Sequence, residues 1–216
     1  MMTLFLGGLI CVPPLPQGLS DSAILATVGP DRLAAFLREL CVWLPRRAYT
    51  LLYRGSRDGM TAAAFHRLCD GKGPTLVLVR SDTGCVFGGH AGASWTTPVK
   101  AECDARGGKC VGSDDAFLFS VNGPVTAVPV PYPAKSNKAH EALYCHAGYG
   151  PTFDNVWVTA CNDVPTDSFD EEGCACELFD ESCFEDVIGV GGGSLTGTAD
   201  GHFVPVEVEV YAVALV

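Results

Sequence analysis

The sequence predicts a β-rich α+β fold: an antiparallel two-sheet β-sandwich with short flanking helices. Three observations point there. Glycine (25) and proline (14) are abundant in a chain of 216 residues, as expected where many turns join short strands. Apolar residues make up 48% and charged residues 18%, with a mean hydropathy of +0.23, so the chain has ample material for a core. β-branched and apolar runs recur between turn signals, without the strand–helix alternation that a parallel sheet requires.

Taken in order, residues 13–20 (PPLPQGLS) read as an extended linker, followed by Asp21-Ser22-Ala23-Ile24-Leu25. Pro30 suits the first turn of a helix. Leu33, Phe36, Leu37, Leu40, Cys41 and Leu44 then recur at helical spacing until Pro45 ends the stripe. Tyr49 to Tyr53 is a short apolar run. Thr61 is placed to cap a second helix reaching Cys69, with Phe65, Leu68 and Cys69 inward. Gly71-Lys72-Gly73-Pro74 breaks it. Thr75 to Arg80 and Cys85 to Phe87 form a hairpin about Ser81-Asp82-Thr83-Gly84. Further strands are expected at Ala116–Val121, Val125–Val130, Ala142–Cys145, Val156–Ala160 and Phe203–Val213. In the last, Val204, Val206, Val208 and Val210 alternate with Glu207, Glu209 and Tyr211, so Val206, Val208 and Val210 are expected to close the core. Ala101–Gly112 and Cys161–Asp186 read as surface loops.

Charge narrows the function classes. Lys and Arg number 14 against 25 Asp and Glu, a formal charge of −11. Lys138 is the last cation, and fifteen carboxylates follow it. Such a balance repels phosphate backbones, so no nucleic-acid role is expected. The ordinary reading of the acidic half is a solvated face; the sharper one is a docking surface for a basic protein partner or a divalent cation. Eleven cysteines occur without a CxxC pair, mostly beside apolar residues, and read as reduced thiols in a cytoplasmic protein. Thr3–Val12 resembles a signal-peptide core but lacks a basic n-region and meets Pro13-Pro14, which argues against a cleaved signal. It is too short to span a bilayer, so no membrane span is expected.

Catalytic patterns fail on inspection. Asp70-Gly71-Lys72-Gly73-Pro74-Thr75 lacks phosphate-loop spacing and reads as a helix-to-strand turn. Gly192-Gly193-Ser194-Leu195-Thr196 misses the last glycine of a nucleophile elbow and falls in a glycine loop. Cys145-His146 would point to opposite faces of a strand, and Cys85 with His90 is the other Cys–His pairing. Cys174, Cys176 and Cys183, among ten carboxylates in residues 161–186, are the weak candidates for metal ligation, with no recognisable fourth ligand. The alternative function is therefore a thiol-redox or metal-binding protein working through that loop, although its carboxylates should raise thiol pKa values. No catalytic residue and no cofactor are assigned.

Taken together, several strings resemble the TLDc domain of eukaryotic oxidation-resistance proteins and protist relatives. They are Leu51-Leu52-Tyr53-Arg54-Gly55-Ser56-Arg57-Asp58-Gly59, Phe65-His66 with Cys69 to Leu76, and Phe87-Gly88-Gly89 with Ser94-Trp95. Asp114 to Ser120, Tyr144-Cys145-His146 with Tyr149 to Phe153, and Glu207-Val208-Glu209-Val210-Tyr211 complete the series. The resemblance implies residues 1–18 as an N-terminal extension and 19–216 as the domain. It also implies a two-sheet sandwich without an established catalytic site, and roles in protection against oxidative damage or in binding the vacuolar proton pump. Of the motif residues, Asp58 and Gly59 suit a tight turn, and Gly88 and Gly89 a strand end where a Cβ is not tolerated. Glu207 and Glu209 are expected to face solvent or a partner's cations.

Overall fold

A computed structural model describes residues 16–125, 128–154, 156–159, 174–176, 178 and 181–216. Helix α1 (Pro30–Trp43) carries proline in its first turn, and it precedes strand β1 (Arg47–Arg54). The single turn α2 (Gly55–Asp58) leads to α3 (Ala62–Cys69), which Thr61 caps by accepting the Ala64 amide on its hydroxyl at 3.1 Å. Next come β2 (Thr75–Ser81), β3 (Val86–Ala91), β4 (Lys109–Val111), β5 (Phe117–Ser120) and β6 (Val130–Pro133). The chain continues through β7 (Leu143–Cys145), β8 (Tyr149–Phe153), β9 (Val156–Thr159), β10 (Ala175–Cys176), the turn α4 (Gly193–Thr196) and β11 (Pro205–Leu215).

Every strand pairing is antiparallel. Six strands make the main sheet, in the order β1-β11-β2-β3-β5-β6, with smaller sheets β10-β9-β8 and β4-β7. Alternation along each strand supplies two cores, one per face of the main sheet. On one face Val77, Val79, Leu118, Val208 and Val210 pack with α3 (Phe65), β8 (Phe153), Trp95 and Phe184. On the other, Leu76, Leu78, Phe117, Phe119, Tyr211 and Val213 receive Phe36, Leu37 and Leu40 of α1. Those three α1 side chains are wholly buried, each contributing about 1.5–3 kcal/mol of apolar transfer. Helix α1, with Leu19, Ile24, Leu25 and Val28 before it, therefore flanks the sheet by packing on one of its faces. Its stripe is narrower than the sequence pattern, because Cys41 is exposed and Leu33 half-buried.

A bulge decides which residues meet at the end of β1. Leu51 opposes Tyr211, but Tyr53 opposes Val210, so Leu52 is an extra residue. Tyr49 and Leu51 face the α1 core, whereas Tyr53 is switched to the other core and Arg54 back toward the α1 side, opposite Glu209. A second irregularity, between Pro205 and Glu207, pushes Val206 out of the ladder. Val206 is 46% exposed, which corrects its expected place in the core; Val208 and Val210 hold theirs.

Other differences have local causes. The strand expected at Val125–Val130 starts at Val130 and runs to Pro133; its two prolines fit an edge position, which β6 occupies. Ala101–Gly112 is more than a loop, since Lys109–Val111 pairs with β7. Gly88 and Gly89 lie in mid-strand and not at a strand end. A Cβ on Gly88 would stand 1.9 Å from the Val77 carbonyl oxygen, and one on Gly89 2.6 Å from the Phe153 ring, so the close approach is real but central. The segment expected as a linker is tied to the sheet at its described end: the Tyr49 amide donates to the Gln17 carbonyl, and Leu19 is 1% exposed. Thr3–Val12 lies outside the described residues. Among the described residues no helix is long and apolar enough to cross a membrane.

Candidate functional site

The motif residues at the two ends of the sequence converge where β1, α2 and β11 meet. Glu209 is fully buried, and both its oxygens are engaged. Oε1 accepts from Arg54 Nε at 2.7 Å and from the Ala23 amide at 2.9 Å. Oε2 accepts from the Ser22 hydroxyl at 2.6 Å and the Tyr211 hydroxyl at 3.0 Å. The other arm of Arg54 donates to the Asp21 carbonyl. Burial pushes the Tyr211 phenol upward, so it remains a donor.

Beside this cluster Asp58 closes the α2 turn. Its Oδ2 accepts from the Arg54 amide at 2.9 Å and from Arg57 Nη2 at 2.7 Å, and Oδ1 accepts from Arg57 Nε at 2.9 Å. The hydrogen bonds from Arg57 hold its carboxyl below the usual carboxylate range. Gly59 follows with φ +99°, a conformation that leads the chain toward α3, and its carbonyl accepts the Tyr53 hydroxyl at 2.9 Å. Glu207 is 5% exposed and accepts the Ser56 and Val208 amides at 3.0 and 3.1 Å.

Glu207 and Glu209 therefore do not face solvent, which corrects the expectation for both. The signal was in the strand itself: Tyr211 shares their side, and a buried tyrosine marks a covered face. Chemically, the cluster is a latch. An ionised carboxylate with four donors holds the Asp21–Leu25 segment, β1 and β11 together, and it offers no free base or nucleophile.

A family model for the TLDc domain matches residues 21–214, from one side of this latch to the other. The chain belongs to the TLDc family. No curated protein matches the chain.

In this TLDc domain the cysteine candidates lie inside. Cys174, Cys176 and Cys183 are at most 2% exposed, contrary to a reactive exposed loop, because this stretch threads β10 and packs on the sheet. The remaining cysteine of that stretch, Cys161, lies outside the described residues. Among the described residues no three His, Cys, Asp or Glu side chains gather as a metal site. The Cys183 amide donates to Asp154 Oδ2 at 2.7 Å, and burial pushes its thiol up to about 12. Burial likewise raises Cys69 to about 12 and Cys145 to about 11. Ser194 sits in the turn α4 and not in a glycine loop, buried, accepting the Tyr132 hydroxyl at 2.9 Å.

Two histidines lie apart from the latch. His66 is buried at the end of α3, with Asp70 on one ring nitrogen and two backbone carbonyls on the other. A shallow cleft of about 160 Å³ is lined by Arg47, Pro74, His90, Asp115, Val213 and Leu215. There His90 Nδ1 donates to the Thr75 carbonyl at 3.1 Å, while its Nε2 stands 3.6 Å from Asp115, beyond hydrogen-bond distance. Burial pushes His90 down, so it is neutral near pH 7. Arg47 Nη1 is buried without a hydrogen-bond partner among the described residues.

Proposed function

We propose that this TLDc domain is a non-enzymatic interaction module that docks a basic protein partner through its acidic half. One observation supports this most. After Lys138 the sequence has no Lys or Arg, and Glu141, Glu181, Glu185 and Asp200 stand exposed while only Glu207 and Glu209 of the described acids there are drawn inside. A stretch of exposed carboxylates without Lys or Arg of its own favours a complementary basic surface and speeds its encounter. The roles implied by the family resemblance, in oxidative-stress protection or in proton-pump regulation, enter here as part of the proposal. A thiol-redox or metal role draws no support from thiols that burial keeps protonated.

The test is binding to the partner that co-purifies from the source cell, measured at about 50 mM and about 500 mM salt, where screening lengths differ several-fold. Retention should fall at high salt and fall again in a Glu181→Lys, Glu185→Lys, Asp200→Lys variant. Affinity indifferent to both changes defeats the reading.

A further inference from the structure

The strongest unassigned feature is the cleft at one end of the main sheet. Arg47 begins β1, Val213 and Leu215 end β11, Pro74 precedes β2, His90 lies near the end of β3, and Asp115 stands just before β5. Two of its polar groups are held in place by their neighbours. The His90 side chain is 3% exposed, its Nδ1 faces the Thr75 carbonyl, and Phe117 lies against its ring at 5.4 Å. A carbonyl only accepts, so Nδ1 carries the proton of the neutral ring and Nε2 is an acceptor. Asp115 is fixed by the Ser113 hydroxyl, which donates to Oδ1 at 3.2 Å, and by Gly92, where a Cβ would stand 1.7 Å from that oxygen. Its Oδ2 then lies 3.6 Å from His90 Nε2, two acceptors side by side that one ammonium group can serve together. Arg47 supplies the opposite sign. Its Nη1 has no hydrogen-bond partner among the described residues, and its charge reaches His90, where it adds to the downward push of burial.

Charge selects the ligand. An anion would meet Asp115 and a cation would meet Arg47, whereas a zwitterion presents each with its complement. Size narrows it further: a cavity of about 150 Å³ takes a molecule of benzene's bulk, so about six to eight non-hydrogen atoms suit this one. We propose that the cleft binds a free α-amino acid with a short apolar side chain. Its carboxylate lies on the Arg47 guanidinium, its ammonium serves His90 Nε2 and Asp115 Oδ2, and its side chain packs on Pro74, Val213 and Leu215. The ligand thereby ties the β1–β11 edge of the sheet to β3 across β2, so its binding raises the stability of the domain.

The experiment is an NMR titration of the His90 ring, with thermal melts, on the full chain at pH 7. The probes are L-valine and its two halves, isovalerate, which lacks the ammonium, and isobutylamine, which lacks the carboxylate. L-valine should shift the His90 ring nitrogens saturably below about 50 mM, the weak affinity that so small a ligand can reach, and raise the melting temperature. Each half-ligand should bind at least about tenfold more weakly. Asp115→Asn, at an exposed position that still accepts the Ser113 hydroxyl, and Arg47→Met should each weaken L-valine by at least about tenfold. No saturable shift at His90, half-ligands that bind as well as L-valine, or an Asp115→Asn protein that melts like the wild type and binds L-valine equally well overturns the proposal. The first two are read on the wild-type protein, whether or not the variants fold.

Discussion

Arg54→Met and Glu209→Gln, separately and together, test the latch. The pair meets at 2.7 Å, with the Glu209 side chain 0% exposed and that of Arg54 20% exposed. Breaking a buried ion pair from one side costs about 3–5 kcal/mol, because a charge is left uncompensated. Here Ala23, Ser22 and Tyr211 still donate to Glu209, and the guanidinium is partly wet, which takes the cost of Arg54→Met to about 3 kcal/mol. Glu209→Gln keeps one acceptor oxygen, and the two hydroxyls on the other side can rotate, so about 2–3 kcal/mol is expected. The double variant should lose about 3–4 kcal/mol, well short of the sum, giving a coupling of about 2 kcal/mol. Urea unfolding followed by tryptophan fluorescence measures it, since Trp95 is buried in the inter-sheet core. Thermal melts should fall by about 6–12 °C for Arg54→Met. A loss below about 0.5 kcal/mol with no coupling is what a solvent-exposed pair gives, and would refute the reasoning.

Gly88→Ala should be severe, since its Cβ would fall 1.9 Å from the Val77 carbonyl; we expect a loss above about 4 kcal/mol in urea titration, against about 1–2 for Gly84→Ala, which has φ +83° but open space. Asp58→Asn probes pH dependence: the Asp58 carboxyl lies below its ordinary range, so its contribution is complete above about pH 4 and fades as pH falls further. The variant should lose stability at pH 7 and little at pH 3, and equal losses at both would contradict the role. For the thiols, alkylation with mass spectrometry at pH 8 should label exposed Cys41 promptly and Cys69, Cys145 and Cys183 only after unfolding, in keeping with thiols raised to about 12, 11 and 12.

Most of the architecture was legible in the sequence because local periodicity dictates it. The α1 helix, the Thr61 cap and the β2–β3 hairpin reappear close to where the sequence places them, with the α1 stripe narrower. What eluded the sequence depends on single-residue slips. Leu52 and Val206 are extra residues in their ladders, and a period-two pattern carries no mark of a bulge. The same slips hid the site, because Arg54 meets Glu209 only after the Leu52 bulge, across most of the chain's length. The long-range contacts of His66 were hidden for another reason: they are made to carbonyl oxygens, which every residue has.

Strand β11 lies between β1 and β2, yet follows all the other described strands in the chain. A polypeptide emerging from the ribosome therefore displays β1 and β2 as unpaired edges for most of its synthesis. Neither can find its native neighbour until β11 arrives, so closure of the sheet is a late event and contact with the seed formed by β2 and β3 must wait for it. During that interval the exposed edges are open to wrong partners.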